Sequence, residues 1–178
     1  MFSVAPDGTA WRWKGKTDWT PLNGKFRMLV AGDDGRAWGL DENNRLRRFE
    51  NGLWSELPAT ALTIASGPKN SLWSIQPDGN LAAWNVAAQR WQTAAALPVR
   101  AQALAVGAAG EPWLIDEAGI VMVQQSGKWA QIRGIAARSL GIGPEGTVYA
   151  TTKDDEIYWL DKREMEWKPA TGKARQIA

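Results

Sequence analysis

The chain has 178 residues and carries 21 lysines and arginines against 19 aspartates and glutamates, for a net charge of +2. It contains no histidine and no cysteine, which excludes disulfides, thiolate metal sites, thiol nucleophiles and Ser-His triads. The length suits one compact domain. Hydrolysis by paired carboxylates and metal binding through oxygen atoms alone stay open.

The sequence pI of about 9.0 reflects a small excess of cations, because no histidine or cysteine titrates near neutral pH. The longest basic cluster, Arg45, Arg47 and Arg48, has acidic residues on both sides, so we expect no nucleic-acid partner. No segment approaches the ~18 apolar residues of a membrane helix, and no signal peptide is visible. We expect a soluble protein without membrane insertion, cytoplasmic or released by a non-classical route.

Aromatic residues recur along the whole chain. Tryptophans spaced by 35, 37, 38 and 38 residues form an outer series: Trp19, Trp54, Trp91, Trp129 and Trp167. A second series comprises Phe2, Trp38, Trp73, Trp113 and Tyr149. Six residues after each of these stands a turn-forming residue: Gly8, Asn44, Gly79, Gly119 or Asp155. The register predicts five copies of one unit of about 36 residues.

Each unit is predicted to contain four short strands, which we call a to d. Strand a is an alternating run that ends at a glycine, strand b holds the second aromatic series, strand c follows the turn, and strand d carries the outer tryptophan. The Asn, Asp and Gly residues of the b–c connections favour a type I′ hairpin. No helical periodicity is present.

Five such units predict an all-β fold, a five-bladed β-propeller of four-stranded antiparallel blades. The predicted blades of this single domain are residues 175–178 with 1–24, then 25–60, 61–99, 100–136 and 137–174. The C-terminal run from Arg175 to Ala178 aligns with strand a. It is therefore expected to pair with the N-terminal strands b, c and d and to close the ring.

The segments VAGDDGRAWGLDENNRLRRFENGLWSELP and IASGPKNSLWSIQPDGNLAAWNVAAQRWQ resemble the tectonin repeat of β-propeller lectins. The resemblance rests on the glycine-punctuated a–b turn, the aromatic-x-aliphatic strand b and the tryptophan of strand d, and it covers the whole chain. The five-blade count is similar to tachylectin-type lectins, whose repeats are longer. The resemblance implies a glycan-binding protein that recognises cell-surface sugars.

The b-strand and d-strand aromatics keep a strict register, so they are predicted to form the core between blades. Aromatics outside that register are better candidates for stacking on a sugar, with polar groups of the a–b turns beside them to bind hydroxyls. The predicted ligand-binding residues are Trp11, Trp13, Asp33, Asp34, Asn70, Trp84 and Tyr158. The alternative interpretation of the polar residues is ordinary turn chemistry on a solvated rim.

No cofactor, metal site or catalytic residue is predicted. The acidic b–c turns supply two or three oxygens each, fewer than calcium requires, and are expected to be solvated. Nothing singles out a pair of carboxylates for glycoside hydrolysis, so we expect no enzymatic activity.

Two functions remain compatible with the sequence. The first is a lectin that binds surface glycans multivalently at shallow sites between blades. The alternative is a non-catalytic propeller that binds a protein partner or serves as a module of a larger assembly. A lectin should keep its contact positions alike from blade to blade, whereas a protein-binding face should diverge. A monomer is expected, and two copies that exchange their C-terminal strands would form a dimer.

Overall fold

A computed structural model describes residues 1–32, 34–143 and 145–177, without the side chain of Ala95. Within these residues the chain forms five antiparallel sheets and one short 3-10 turn, Pro68–Asn70. The fold is an all-β, five-bladed β-propeller, which confirms the class predicted from the repeat. The described residues contain no helix that is long and apolar enough to cross a membrane. The chain divides into two compact units, Met1–Ala96 and Leu97–Ala178.

The unit Met1–Ala96 holds the first three sheets, each with its strands in sequence order. The first sheet has three described strands: β1 (Phe2–Val4), β2 (Thr9–Trp13) and β3 (Trp19–Lys25). The second comprises β4 (Met28–Ala31), β5 (Ala37–Leu40), β6 (Arg45–Glu50) and β7 (Leu53–Thr60). The third comprises β8 (Thr63–Gly67), β9 (Ser71–Ile75), β10 (Leu81–Asn85) and β11 (Arg90–Ala95).

The unit Leu97–Ala178 holds the remaining two sheets, again in sequence order. One comprises β12 (Ala101–Val106), β13 (Pro112–Asp116), β14 (Val121–Gln125) and β15 (Lys128–Ile132). The other comprises β16 (Ala137–Ile142), β17 (Val148–Thr152), β18 (Glu156–Asp161) and β19 (Glu166–Lys173). In both units strands a, b, c and d of a repeat follow one another as neighbours in the sheet.

The predicted type I′ geometry of the b–c connections is wrong. In the first of them Gly8 N–H donates to Ala5 O over 2.9 Å and Ala5 N–H donates to Thr9 O over 2.9 Å. Gly8 has a φ of +82°, whereas Asp7 has no positive φ. The loop is therefore a type I turn followed by a single left-handed residue. Its aspartate accepts the N–H of Thr9 over 3.0 Å, which satisfies the turn locally.

The core of the first unit forms where the second and third sheets pack together. Its buried residues are Trp38, Leu40, Leu46, Leu57, Ala61, Ile64 and Leu72. On the other face of the second sheet, the absence of a side chain at Gly39 leaves room for the ring of Phe26, which is 1% exposed. A large residue of one sheet thus packs on a small residue of the next.

The second unit has its own core, made of Trp113, Ile115, Val121, Val123, Ile132, Ala137, Leu140, Val148, Ala150 and Leu160. The prediction that all b-strand aromatics are core holds for Trp38 and Trp113, which are 4% and 3% exposed. It is wrong for Tyr149, which is 37% exposed. The hydroxyl of a tyrosine gains from contact with water, so its position in the repeat does not by itself require burial.

Two arginines at the same position of the repeat each donate to the main chain of the repeat that follows, and each of these contacts lies within one compact unit. Arg27 Nη2 donates to the carbonyl oxygens of Leu62 at 2.5 Å and Ala61 at 3.2 Å. Arg138 donates in the same way to Arg175 O, which stands where Leu62 does in the alignment of the repeats. Residues 175–177 form no strand, and Ala178 lies outside the described residues. The pairing of this segment with the first sheet stays a prediction.

Candidate functional site

A cleft of about 480 Å³ opens between the first and second sheets of the first unit. Its walls come from β2, from the a–b turn of the second blade, and from the end of β6 with the turn that follows it. Its lining residues are Arg12, Asp34, Gly35, Arg36, Phe49, Glu50, Asn51 and Gly52. Four of these eight residues are charged and two are glycines, so the cleft presents charge rather than an apolar surface.

Arg12 forms one wall of the cleft. It lies on β2 opposite Phe2 of β1, and its guanidinium carbon is 5.9 Å from the centroids of both Phe2 and Phe49. Phe2 and Phe49 meet edge to face at 5.8 Å. The two rings hold the guanidinium by cation–π attraction. Among the described residues no carboxylate pairs with Arg12.

Arg36 forms the opposite wall, and its charge is neutralised. Its Nε lies 2.7 Å from Glu50 Oε1, and its Nη1 lies 3.3 Å from Asp34 Oδ2. Arg48 Nη2 reaches the other oxygen of Glu50 at 3.3 Å. Among the described residues, the cleft and its immediate border therefore hold three arginines and two carboxylates, and Arg12 is the arginine that these carboxylates do not reach.

Local turn chemistry positions these groups. Asp34 Oδ1 accepts the N–H of Arg36 over 3.0 Å, which closes the a–b turn. Asn51 and Gly52 have φ values of +53° and +86° and join β6 directly to β7. This Asn-Gly pair is the type I′ turn, so that geometry occurs in the c–d connection of the second blade.

Two of the predicted polar residues lie together. Asp34 lines the cleft, and its N–H donates to Asn70 Oδ1 over 3.4 Å, which links the a–b turns of the second and third blades. Asn70 is therefore partly used in holding those turns. Asp33 lies outside the described residues.

The predicted aromatics do not converge on the cleft. Trp13 is half-buried and packs against Trp19, with centroids 5.2 Å apart, and Trp19 is 40% exposed. Trp11 is half-buried on the same face of β2 and pairs with Pro21 across the sheet. Trp84 packs against the Trp38 core and meets Trp91 edge to face at 5.1 Å. Trp13 and Trp84 occupy the same position of strand c, and each is thus opposite the outer tryptophan of its own blade.

Tyr158 lies on β18 of the second unit, apart from the cleft in the chain and in a different unit. Its hydroxyl donates to Glu156 Oε2 over 3.1 Å. This hydrogen bond, together with the negative charge of Glu156, raises the pKa of Tyr158. The hydroxyl is therefore held protonated and directed at its own strand.

A second cleft, of about 250 Å³, lies at the b–c turn of the second blade and is lined by Gly24, Lys25, Asp41, Glu42, Asn43 and Arg47. Asp41 is 7% exposed, which corrects the expectation that the acidic turns are solvated. Burial acts to raise its pKa, but N–H donation from Arg45 and Asn43 and the charges of Arg45 and Arg47 outweigh it, so the pKa is lowered. Its oxygens are satisfied within the blade.

Metal binding has no support in residues 1–32, 34–143 and 145–177, where no group of three or more carboxylates comes together. The turn acids are used otherwise. Asp116 Oδ1, for example, accepts the N–H groups of Ala118 over 2.9 Å and of Ile120 over 2.8 Å.

The sequence prediction missed Arg12, Arg36 and Glu50. One available signal was the period of two along β2, which places Arg12 on the opposite face from Trp11 and Trp13 and beside Phe2. The register of the repeat also makes Arg12 equivalent to Arg48. The contact between Arg12 and Phe49 had no signal, because it joins two different sheets.

The fold and the cleft define this chain as a β-propeller with a charged cleft between two blades. No protein-family model matches the sequence, and no curated protein matches it. Solved β-propeller structures, in contrast, do match this chain. Virginiamycin B lyase from Staphylococcus aureus superposes with a TM-score of 0.64 at 17% identity, over 98% of this chain and 70% of that one.

Two further β-propeller structures are similar to this chain. YCF48 bound to D1 peptide has a TM-score of 0.63 and 16% identity, over 94% of this chain and 63% of that one. A streptogramin B lyase has a TM-score of 0.66 and 14% identity, over 98% of this chain and 68% of that one. The chain thus spans roughly two thirds of the length of these proteins. The likeness at this identity shows the fold alone.

Proposed function

We propose that the chain is a non-catalytic binding module that takes a segment of a partner protein in the cleft between its first two blades. The observation that carries this proposal is that, among the described residues, the side chains at the Arg12 position differ from blade to blade. The residues opposite the b-strand aromatics are Arg12, Arg48, Ala83, Val123 and Trp159. A multivalent lectin requires equivalent sites, whereas a single partner is recognised by one blade-specific surface.

The surface chemistry also favours a polypeptide. Phe49 is 3% exposed and offers no free face to a sugar, and Trp84 is half-buried against the core and against Trp91. The exposed groups of the cleft are charged, as is typical of the polar rim of a protein interface. A β-propeller can hold a peptide, as the structure of YCF48 bound to D1 peptide illustrates for that protein.

Two of the structural neighbours are lyases, so the absence of catalysis is part of the proposal. It rests on the chain's own residues. Histidine and cysteine are missing from the sequence, and the carboxylates of the cleft, Asp34 and Glu50, are both engaged by Arg36. Such ion-paired carboxylates are poor general bases.

A random peptide library selected on the immobilised chain tests the proposal. Binding of a selected peptide should perturb the backbone amide NMR signals of Asp34, Gly35, Asn51 and Gly52, which surround the cleft. A matched library of scrambled selected peptides controls for composition. No selectable peptide, or perturbations confined to residues outside the cleft, would contradict the proposed function.

A glycan-binding function of the tectonin type is the second candidate. It is favoured by the Trp13–Trp19 pair, because Trp19 is 40% exposed and offers an aromatic surface to a sugar. A glycan array should then give a hit that Trp19→Ala removes and that Trp19→Phe retains in part. An array without hits, on protein shown to be folded, rules this candidate out.

A further inference from the structure

We infer that Arg12 recognises a carboxylate, so that the partner segment is acidic. This inference rests on the proposed function and names the chemistry of its ligand. The first step concerns the charges of the cleft. Arg36 is held by Asp34 and Glu50, and Glu50 is held in addition by Arg48. Both carboxylates are neutralised by these two arginines, and the charge of Arg12 stays available.

The second step concerns geometry. Phe2 and Phe49 hold the guanidinium of Arg12 at 5.9 Å from each ring centroid. No side-chain hydrogen bond from Arg12 to protein occurs among the described residues. Its N–H donors therefore face solvent in the cleft. A planar guanidinium that is held beside aromatic rings and makes no hydrogen bond to protein keeps its N–H donors for a ligand, and such donors bind a carboxylate in bidentate fashion.

The third step is the cost of binding. A flexible arginine loses rotamer entropy when it binds a ligand, but the two rings already restrict Arg12. The β1–β2 pairing adds to this restriction, because Phe2 and Arg12 are direct partners across the sheet. An acidic side chain that enters the cleft thus meets a preorganised cation whose partial burial strengthens the attraction.

The test uses the full chain and a fluorescein-labelled peptide selected from the random library. We expect selected peptides to be enriched in Asp and Glu. Replacing these residues by Asn and Gln should lower the affinity of the peptide about tenfold or more. Arg12→Ala should lower the affinity for the acidic peptide by a similar factor. Arg12→Lys should fall between, because it keeps the charge and loses the planar fork.

Arg90→Ala is the matched control, since Arg90 is an exposed arginine of the third sheet outside the cleft. It removes the same charge and should leave the affinity unchanged. Circular dichroism melting of Arg12→Ala checks that the fold is retained. If that variant does not fold, Arg12→Lys and the Asn/Gln peptides still decide the question.

The outcomes separate the two proposals. Selected peptides that bind the cleft without acidic residues, or whose affinity does not depend on Arg12, overturn the carboxylate inference and leave the proposed function standing. Failure to select any peptide overturns the proposed function itself. The chain could instead bind oligogalacturonate and no peptide. If Arg12→Ala abolishes that binding, the inference of an acidic peptide is overturned and the carboxylate belongs to a sugar.

Discussion

Phe26 packs directly on the backbone of Gly39. A Cβ at Gly39 would lie 2.7 Å from Cε1 of Phe26 and 2.7 Å from Cδ2 of Leu29, closer than real Cβ contacts allow. The ring of Phe26 also meets Trp54 at a centroid distance of 4.2 Å. The glycine in strand b of the second blade thus makes room for an aromatic layer between the first two sheets.

Gly39→Ala should lower the free energy of unfolding by about 1–3 kcal/mol, because the added methyl group must displace a buried ring. Urea denaturation measures the change. Gly143→Ala is the control, since the nearest atom to a Cβ there is Thr147 O at 3.8 Å. It should stay within about 0.5 kcal/mol of the parent. Equal effects of the two variants would contradict the packing interpretation.

Arg27→Ala should lower the free energy of unfolding by about 1–3 kcal/mol, because two carbonyl oxygens and Asn44 Oδ1 lose a charged donor. Desolvation of the guanidinium, opposed by the charge of Asp41, lowers the pKa of Arg27. Arg27→Lys keeps the charge and should recover only part of the loss. Full recovery by lysine would show that charge alone matters.

A chain that ends at Ala174 should unfold about 2 kcal/mol more easily, because Arg138 loses its acceptor, Arg175 O. Ser139 also loses the N–H of Ile177, which it accepts over 3.1 Å. Arg175→Ala is the control because it keeps the main-chain carbonyl, and it should be nearly neutral. Thermal unfolding and molar mass of each variant are the measurements. A destabilised Arg175→Ala would assign the effect to the side chain.

Trp84→Ala should destabilise the chain by about 2–4 kcal/mol, because this side chain packs against the core and against Trp91. Trp84→Phe keeps an aromatic ring and should cost less than about 1.5 kcal/mol. Denaturant unfolding followed by circular dichroism separates the two. A stable Trp84→Ala variant with altered ligand binding would restore the ligand role predicted for this residue.

The stability of the chain should fall as the pH drops below about 4. The pKa of Asp41 is lowered in the folded chain, so its contribution is present above the unfolded pKa and is lost as pH falls through the folded pKa. Asp41→Asn still accepts the N–H groups of Asn43 and Arg45. Its unfolding free energy should therefore depend less steeply on pH in this range. Parallel plots of unfolding free energy against pH for the parent chain and Asp41→Asn would contradict the role given to Asp41.

The repeat allowed the fold class to be predicted because its signals are local. A left-handed residue at Gly8, or an aromatic at Trp38, determines a turn or a strand within a few residues. The turn type was predicted wrongly since Asp7 and Gly8 look alike in their tolerance of positive φ. Only the structure of the loop shows that Gly8 adopts a positive φ and Asp7 does not.

The candidate site was predicted less well. Asp34, which was predicted to bind ligand from the a–b turn, lines the cleft, and its contact with a ligand stays a prediction. Trp84 and Trp13 were selected as free aromatics, but each meets the outer tryptophan of its own blade. Exposure of an aromatic depends on what the neighbouring strand places opposite it, which the register of a single strand does not show.

The sequence by itself determined where strands and turns occur and how many blades the chain forms, because backbone preferences and alternation act over short distances. Only the tertiary structure decided which arginine keeps an available charge. Arg36 pairs with Glu50 and Asp34, whereas the guanidinium of Arg12 lies beside the Phe2–Phe49 ring pair. These contacts join strands of different sheets, and their distances depend on how the sheets pack.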